Sequence, residues 1–456
     1  MIGSALDRSQ PPLPGTLRDI SFPSFTSSQL ACGLHLKVMP VDRFPITTLQ
    51  LMVPAGSQQN PLDRPGLADL HGDLLTEGST RRSGAELALA IEALGGQLTS
   101  GAGWNMAYVE VASLLSSHLP AGLELLAEAA LMPRFAEDQV ERLLDEHRVE
   151  LLRRLSRPKA LADDVFSEVV YGGTVYGFCA GGTTASLDAL GRGEILDFYR
   201  QHVGPEGSCL IAVGDIDPDD LHRRAEEHFG DWPAAQANAH GAVTIEPTPL
   251  ERTEVHLVDR PGSAQTQLQL GHASVPRKHQ DFEPLVLLNA LFGGKFTSRL
   301  NLNLRERNGF TYGANSSFVR RRGPGPFMVR TAVATDVAGA AVGEILSELD
   351  RVRDEPVTGE ELSETLDYML GVFPYTLQSI GDLAARLESL VVFELPDDHF
   401  TRFPASLRNV TPEDVHRAAR EHLHPDRTAI VAVGPAEQLE PQLEKFGPVT
   451  VHAPAS

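Results

Sequence analysis

The sequence predicts an α+β fold of two homologous halves, each a mostly antiparallel sheet with helices packed on one face. Three observations point there. Residues 201–217 (QHVGPEGSCLIAVGDID) and 421–437 (EHLHPDRTAIVAVGPAE) repeat at one offset, aligning His202 with His422, Pro205 with Pro425 and Gly214 with Gly434. TLQLM at 48–52 and TQLQL at 266–270 repeat at nearly the same spacing. Alternating apolar runs that suit hairpin strands are followed by amphipathic stretches that suit helices, the pattern of helices layered on a sheet.

Each element has a local reason. TTLQLMVPAG (47–56) alternates like a half-buried strand before a Gly turn. GAELALAIEALGG (84–96) is an amphipathic helix stopped by two glycines, and AYVEVASLL (107–115) alternates again. LPAGLELLAEAALMP (119–133) is a helix stopped before Pro133. EDQVERLLDEHRVELLRRLSRP (137–158) is a long charged helix stopped at Pro158. In both repeats a Pro turn leads into an apolar strand, CLIAVG or AIVAVG, and then a helix ending near Phe229 or Phe446. The Ala/Pro/Thr-rich stretch 233–250 reads as an exposed linker. The expected division is a flexible arm at 1–17, a first half at 18–232, the linker, a second half at 251–449 and a tail at 450–456.

Composition narrows the function. The 456 residues suffice for two or three domains, and 42% hydrophobic with 22% charged residues argues against wholesale disorder. The formal charge of −22 argues against a general nucleic-acid binder or an anionic-membrane binder, because neutralising phosphates needs a basic face. Cys32, Cys179 and Cys209 are too widely spaced for a disulfide framework or a metal knuckle. No apolar run approaches the ~20 residues of a membrane helix. The N-terminus lacks the basic and apolar regions of a secretory signal, so the cytoplasm is the expected compartment.

The chemistry ought to sit in residues 66–79, GLADLHGDLLTEGS. Leu67, Leu70 and Leu74 share one helical face, with Pro65 at the start and Gly78 at the end. Asp69 and Asp73, four apart, project side by side and repel unless solvated, protonated or bridged by a cation. Gly72 between them costs the helix ~1 kcal/mol relative to Ala. This segment resembles the zinc-binding helix of the pitrilysin/insulinase-type peptidases, approximately GLAHFLEHMLFKGT, which carries the inverted signature HxxEH. The frame matches at Gly66, Leu67, Ala68, Leu74, Leu75 and Gly78. Asp69 and Asp73 stand where the family has its zinc-binding histidines, and Gly72 where it has the glutamate that activates water. Glu150 stands at the separation of the family's downstream metal ligand. Asp69, Asp73 and Glu150 form an all-oxygen set, suited to magnesium, calcium or manganese rather than zinc. Gly72 cannot take a proton from water. A degenerate, metal-free site is expected.

Other clusters do not replace it. His71 lies on a different helix face from the aspartates. His147 and Glu150 form HxxE with no second histidine after them, and His416 and His422 near Glu421 are six apart and face apart. FGGKFTS at 292–298 lacks the glycine that a phosphate loop needs ahead of its GK pair.

Residues 292–313, FGGKFTSRLNLNLRERNGFTYG, read as a Gly turn, a helix from about Thr297 to Arg307, a stop at Gly309 and a strand starting near Phe310. Here the chain is similar to the same family's second half, approximately LGGGFSSRLFQNLREKRGLAYSV. It keeps Phe292, Gly293, Gly294, Phe296, Ser298, Arg299, Leu300, Asn303, Leu304, Arg305, Glu306, Gly309 and Tyr312. In the family, the residues matching Arg305 and Tyr312 hold the substrate peptide and the developing oxyanion. GGQLTSGAG at 95–103 resembles the strand on which the family lays its substrate by β-augmentation.

Some members of this family divide the zinc triad and the Arg/Tyr pair between two chains. The resemblance therefore implies one half of a clamshell: a non-catalytic subunit of a heterodimeric zinc endopeptidase, inactive alone. Arg305 and Tyr312 would act in trans on a peptide or unfolded polypeptide. Zinc would sit in an HxxEH-carrying partner, with no cofactor in this chain. The alternative is a proteolytically inactive structural or peptide-binding member, including a homodimer.

Overall fold

The structure is a computed structural model describing residues 21–236 and 245–452. The expected arm at 1–17 and part of the linker lie outside the described residues. Two six-stranded sheets organise the chain. The first comprises β1 (Thr26–Gln29), β2 (His35–Pro40), β3 (Ile46–Val53), β4 (Gln97–Ala102), β5 (Ala107–Leu115) and β6 (Cys209–Gly214), in the order β1-β2-β6-β3-β5-β4. The second comprises β7 (Glu254–Asp259), β8 (Gln265–Ala273), β9 (Ala314–Phe318), β10 (Pro326–Ala334), β11 (Ala429–Gly434) and β12 (Val449–His452), in the order β12-β7-β11-β8-β10-β9.

Five strands repeat in one order, β2-β6-β3-β5-β4 matching β7-β11-β8-β10-β9. In each set the first pair is parallel and the rest antiparallel. β6 and β11, the repeated CLIAVG and AIVAVG, are interior strands buried at every residue, which is why they read as continuous apolar runs. The outermost strands break the symmetry: β1 is antiparallel to β2, and β12 is parallel to β7.

Each half packs its own helices on one face of its sheet. In the first half Leu49, Leu51, Val109, Val111, Leu210 and Ala212 meet Leu123 and Leu126 of the helix Leu119–Leu131. The opposite faces receive a helix from the other half. Met52, Ile211 and Val213 of the first sheet pack on Leu383, Leu387 and Leu390 of the helix Ile380–Val392. Met328, Val431 and Val433 of the second sheet pack on Leu161, Phe166 and Val170 of the helix Pro158–Tyr171. Period-two alternation along the strands assigns each residue to one face or the other. Between the halves, Arg321 lies 4.3 Å from the Trp104 ring centroid and 4.2 Å from that of Tyr176.

Three expectations need correction. The second half reaches His452 rather than 449, because β12 pairs with β7 there. The linker is not exposed throughout, since Ile245 is buried against the helix Pro158–Tyr171 cluster. The strand expected near Phe310 begins at Ala314. Thr311 Oγ1 instead donates to Ala332 O at 2.9 Å and accepts from Gly313 N at 3.1 Å, folding 310–313 into a turn.

Candidate functional site

The helix Leu67–Leu74 starts after Gly66, whose φ of +97° favours glycine. Its apolar face buries Leu67, Leu70 and Leu74. His71, four residues before Leu75, is fully buried among Phe135, Phe198 and Tyr199, and neither ring nitrogen has a hydrogen-bond partner. Burial, then the charge of His202, lowers its pKa to about 3, so it is a neutral core residue.

Asp69 and Asp73 line a cleft of about 920 Å³ with His147 and Glu150 of the helix Glu137–Leu155. Asp73 Oδ2 lies 3.0 Å from His147 Nε2. The Asp69 carboxylate makes no hydrogen bond among the described residues, and burial, then the Asp73 charge, raises its pKa to about 6. Burial opposes the His147 charge, but the hydrogen bond to Asp73 and the fields of both aspartates raise its pKa overall. Glu150 is exposed and faces two cations, Arg157 at 3.3 Å and Arg153 at 3.8 Å. Arg142 and Arg154 line the same cleft. The structure thus joins Asp69 and Asp73 to His147 and engages Glu150 elsewhere.

Gly72 decides what this site can hold. A Cβ built there would lie 2.5 Å from the carbonyl carbon of Gly101 and 2.7 Å from the nitrogen of Ala102, both backbone atoms of β4. The helix and the strand touch where a general base would stand. Zinc does not fit this donor set: carboxylates stand at both histidine positions, the His147 imidazole is engaged with Asp73, Glu150 is engaged by arginines, and no side chain at Gly72 can deprotonate water. Among the described residues, His279, Asp281 and His422 do bring three ligand atoms within 4.8 Å of one another. That donor set is already used. Both Asp281 oxygens accept from Arg417, at 2.7 and 3.0 Å, and His279 Nδ1 accepts from the Asp281 backbone N–H at 3.2 Å. The Arg417 hydrogen bonds, foremost, hold the Asp281 pKa down to about 2.

The second-half motif is built differently. Its helix starts at Arg299 and widens over Leu302–Arg307 into π-helical turns, as Asn308 N donates to Asn303 O at 3.0 Å. Most of its polar residues are tied inward. Arg299 donates two 2.7 Å bonds to Glu361, and Asn303 donates to Glu344 and Glu348 at 2.8 and 2.9 Å. Asn301 exchanges two 2.9 Å bonds with the backbone of Ala314, fastening the helix to β9. Arg305, Glu306, Arg307 and Tyr312 are not tied inward. Arg305 stacks 4.2 Å from the centroid of the exposed Phe296 ring, with only Glu306 nearby at 3.5 Å. Tyr312 is 93% exposed and makes no hydrogen bond among the described residues.

Sequence reasoning missed three things: the Asp73–His147 contact, the Asn301 clasp, and the closure over Gly72. Only the last left a signal, a glycine placed where a helix pays for one.

Two homologous α+β halves and a peptidase-type helix stripped of its histidines define a metallopeptidase homologue. Comparison with known proteins agrees. Residues 42–176 match the model of the insulinase family (peptidase family M16), and residues 189–369, from the end of the first half into the second, match the peptidase M16 inactive domain. The chain belongs to the pitrilysin/insulinase family and lacks its HxxEH motif. An uncharacterized zinc protease of Mycobacterium tuberculosis is 27% identical over 393 residues, 84% of this chain and 87% of that protein. One of Streptomyces coelicolor is 23% identical, covering 93% and 91%. The crystal structure of a peptidase M16 inactive domain from Pseudomonas fluorescens superposes with a TM-score of 0.83 at 25% identity, covering 90% of this chain and 98% of that one. A protease from Helicobacter pylori shares the fold, with a TM-score of 0.84 at 18% identity over 91% and 100%.

Proposed function

We propose that this chain is the non-catalytic subunit of a heterodimeric zinc endopeptidase, supplying Arg305 and Tyr312 in trans to a partner that carries HxxEH and the zinc. The observation that carries the reading is the contrast at the two motifs. At Gly72 the backbone of β4 fills the space of a general base, while Arg305 and Tyr312 stay accessible on a helix-and-turn support held inward by Arg299, Asn301 and Asn303. An Arg fork and a phenol suit a peptide carbonyl that is becoming an oxyanion. The substrate is a peptide or unfolded polypeptide and the compartment the cytoplasm. No helix among the described residues is long and apolar enough to cross a membrane.

The test is co-expression with a family member carrying HxxEH. The purified chain alone should hold no zinc and cleave no peptide, and the complex should cleave. Arg305→Ala or Tyr312→Phe should then lower turnover by ~10²-fold. Full activity in both variants would falsify the trans role. A second reading, a peptide-binding member without proteolysis, is favoured by β4 standing at the sheet edge. Peptide titration of the lone chain distinguishes it.

A further inference from the structure

A second cleft, in the C-terminal half, is lined by arginines and apolar side chains. Its two lobes, of about 180 and about 120 Å³, share Arg277, Phe282, Val286, Arg320 and Met369. Leu285 and Phe318 wall the first lobe; Phe373, Phe393 and Phe403 wall the second, with Arg386. Neither lobe is lined by any Asp or Glu.

That is unexpected in a chain of net charge −22, where other arginines find carboxylates: Arg299 with Glu361, Arg154 with Asp164, Arg417 with Asp281. Arg277, Arg320 and Arg386 have no ion pair within 4.0 Å among the described residues. Arg277 is only 7% exposed. Its guanidinium carbon lies 3.3 Å from the Phe282 ring centroid, and its Nη2 donates to His399 Nε2 at 2.9 Å. That imidazole is held neutral: burial first, then the Arg277 and Arg320 charges, lower its pKa to about 4. Arg320 lies 5.3 Å from the same Phe282 ring, and Arg386 lies 5.4 Å from Phe400. Of the two acids within four residues of Arg386 in the chain, Asp382 caps the helix Ile380–Val392 through Ser379 and Glu388 lies by Gln50. Burial lowers all three guanidinium pKa values, and the fields of Glu283 on Arg277 and of Asp382 on Arg386 offset this only in part, so an anion in the cleft would complete the site.

We propose that this cleft binds a small organic carboxylate with an apolar body, the chemistry shared by a peptide's C-terminal residue and a medium-chain fatty acid. The guanidinium forks match a carboxylate's two oxygens. The phenyl walls take the apolar body out of water. The site goes beyond the trans role of Arg305 and Tyr312 and does not depend on it.

The test is calorimetric titration of the full chain with N-acetylphenylalanine and with octanoate, each beside its uncharged amide. At least one acid should bind about tenfold or more tightly than its amide and raise Tm. Preference for one acid assigns the peptide or the acyl source, and either supports the site. Arg320→Gln and Arg386→Gln should each weaken binding by about tenfold. Arg320 is exposed and makes no hydrogen bond, so the free variant should keep the wild-type Tm. Acids that bind no tighter than their amides would overturn the proposal. So would unchanged affinity in both variants, or an Arg320→Gln chain that fails to fold, which would make that arginine structural.

Discussion

The helix Leu67–Leu74 and the segment Arg299–Tyr312 carry the two family motifs, one in each half, and they differ in opposite directions. In the first, the working positions are closed off: Gly72 lies against β4, and Asp69 is partly buried beside a like charge. In the second, the scaffold residues Arg299, Asn301 and Asn303 are hydrogen-bonded inward while Arg305 and Tyr312 are left accessible. A site that is losing one chemistry can be repacked without touching another site in the same chain. Repacking shows as backbone contact, and retention shows as exposed groups held on a rigid support.

The sharpest break of this comparison is Gly72→Ala. The new methyl would meet two backbone atoms of β4 that cannot rotate away, so the variant should lose about 3 kcal/mol or more in urea unfolding, despite the ~1 kcal/mol gain in helix propensity. A neutral result would mean that the strand does not press on the helix. Next comes Asn301→Ala, which removes the clasp to Ala314 and leaves buried backbone groups unpaired. About 2 kcal/mol should be lost, and peptide turnover in the complex should fall with it, since Tyr312 hangs from that turn. A smaller effect of opposite sign is expected for Asp69→Asn. The carboxyl titrates near 3.8 when unfolded and at about 6 when folded, so the native state binds the extra proton between those values. Stability therefore falls as pH rises from about 4 to 6 and stays reduced above. The variant should gain about 1–2 kcal/mol above pH 6 and nothing below pH 4, the gain being discounted for partial exposure. Identical pH profiles would place Asp69 in free solvent. The least change belongs to Tyr312→Phe, whose lone-chain Tm should match wild type because the phenol touches nothing.

Much of this was legible in the residues. The repeat of Gly214 and Gly434 marks the equivalent strands β6 and β11, and Pro133 and Pro158 fall just past the ends of the helices Leu119–Leu131 and Glu137–Leu155. Period and punctuation are local, so a sequence displays them. What escaped was long-range. Amphipathicity says that the helix Ile380–Val392 has an apolar face but not which sheet receives it. The pairing of His147 with Asp73 depends on how two helices cross, and the late start of β9 depends on Thr311 finding Ala332. The candidate site was half legible for the same reason. The missing histidines and glutamate are visible in a string of letters; the strand pressed against Gly72 is not.

The reciprocal loan of helices between the two sheets sets a timetable for synthesis. The first sheet has all its strands once Gly214 has left the ribosome, yet the helix that shields its second face arrives roughly 170 residues later. At ~5–20 residues per second, the nascent chain carries Met52, Ile211 and Val213 uncovered for about 10–30 s. Ribosome-associated chaperones have that interval in which to engage it.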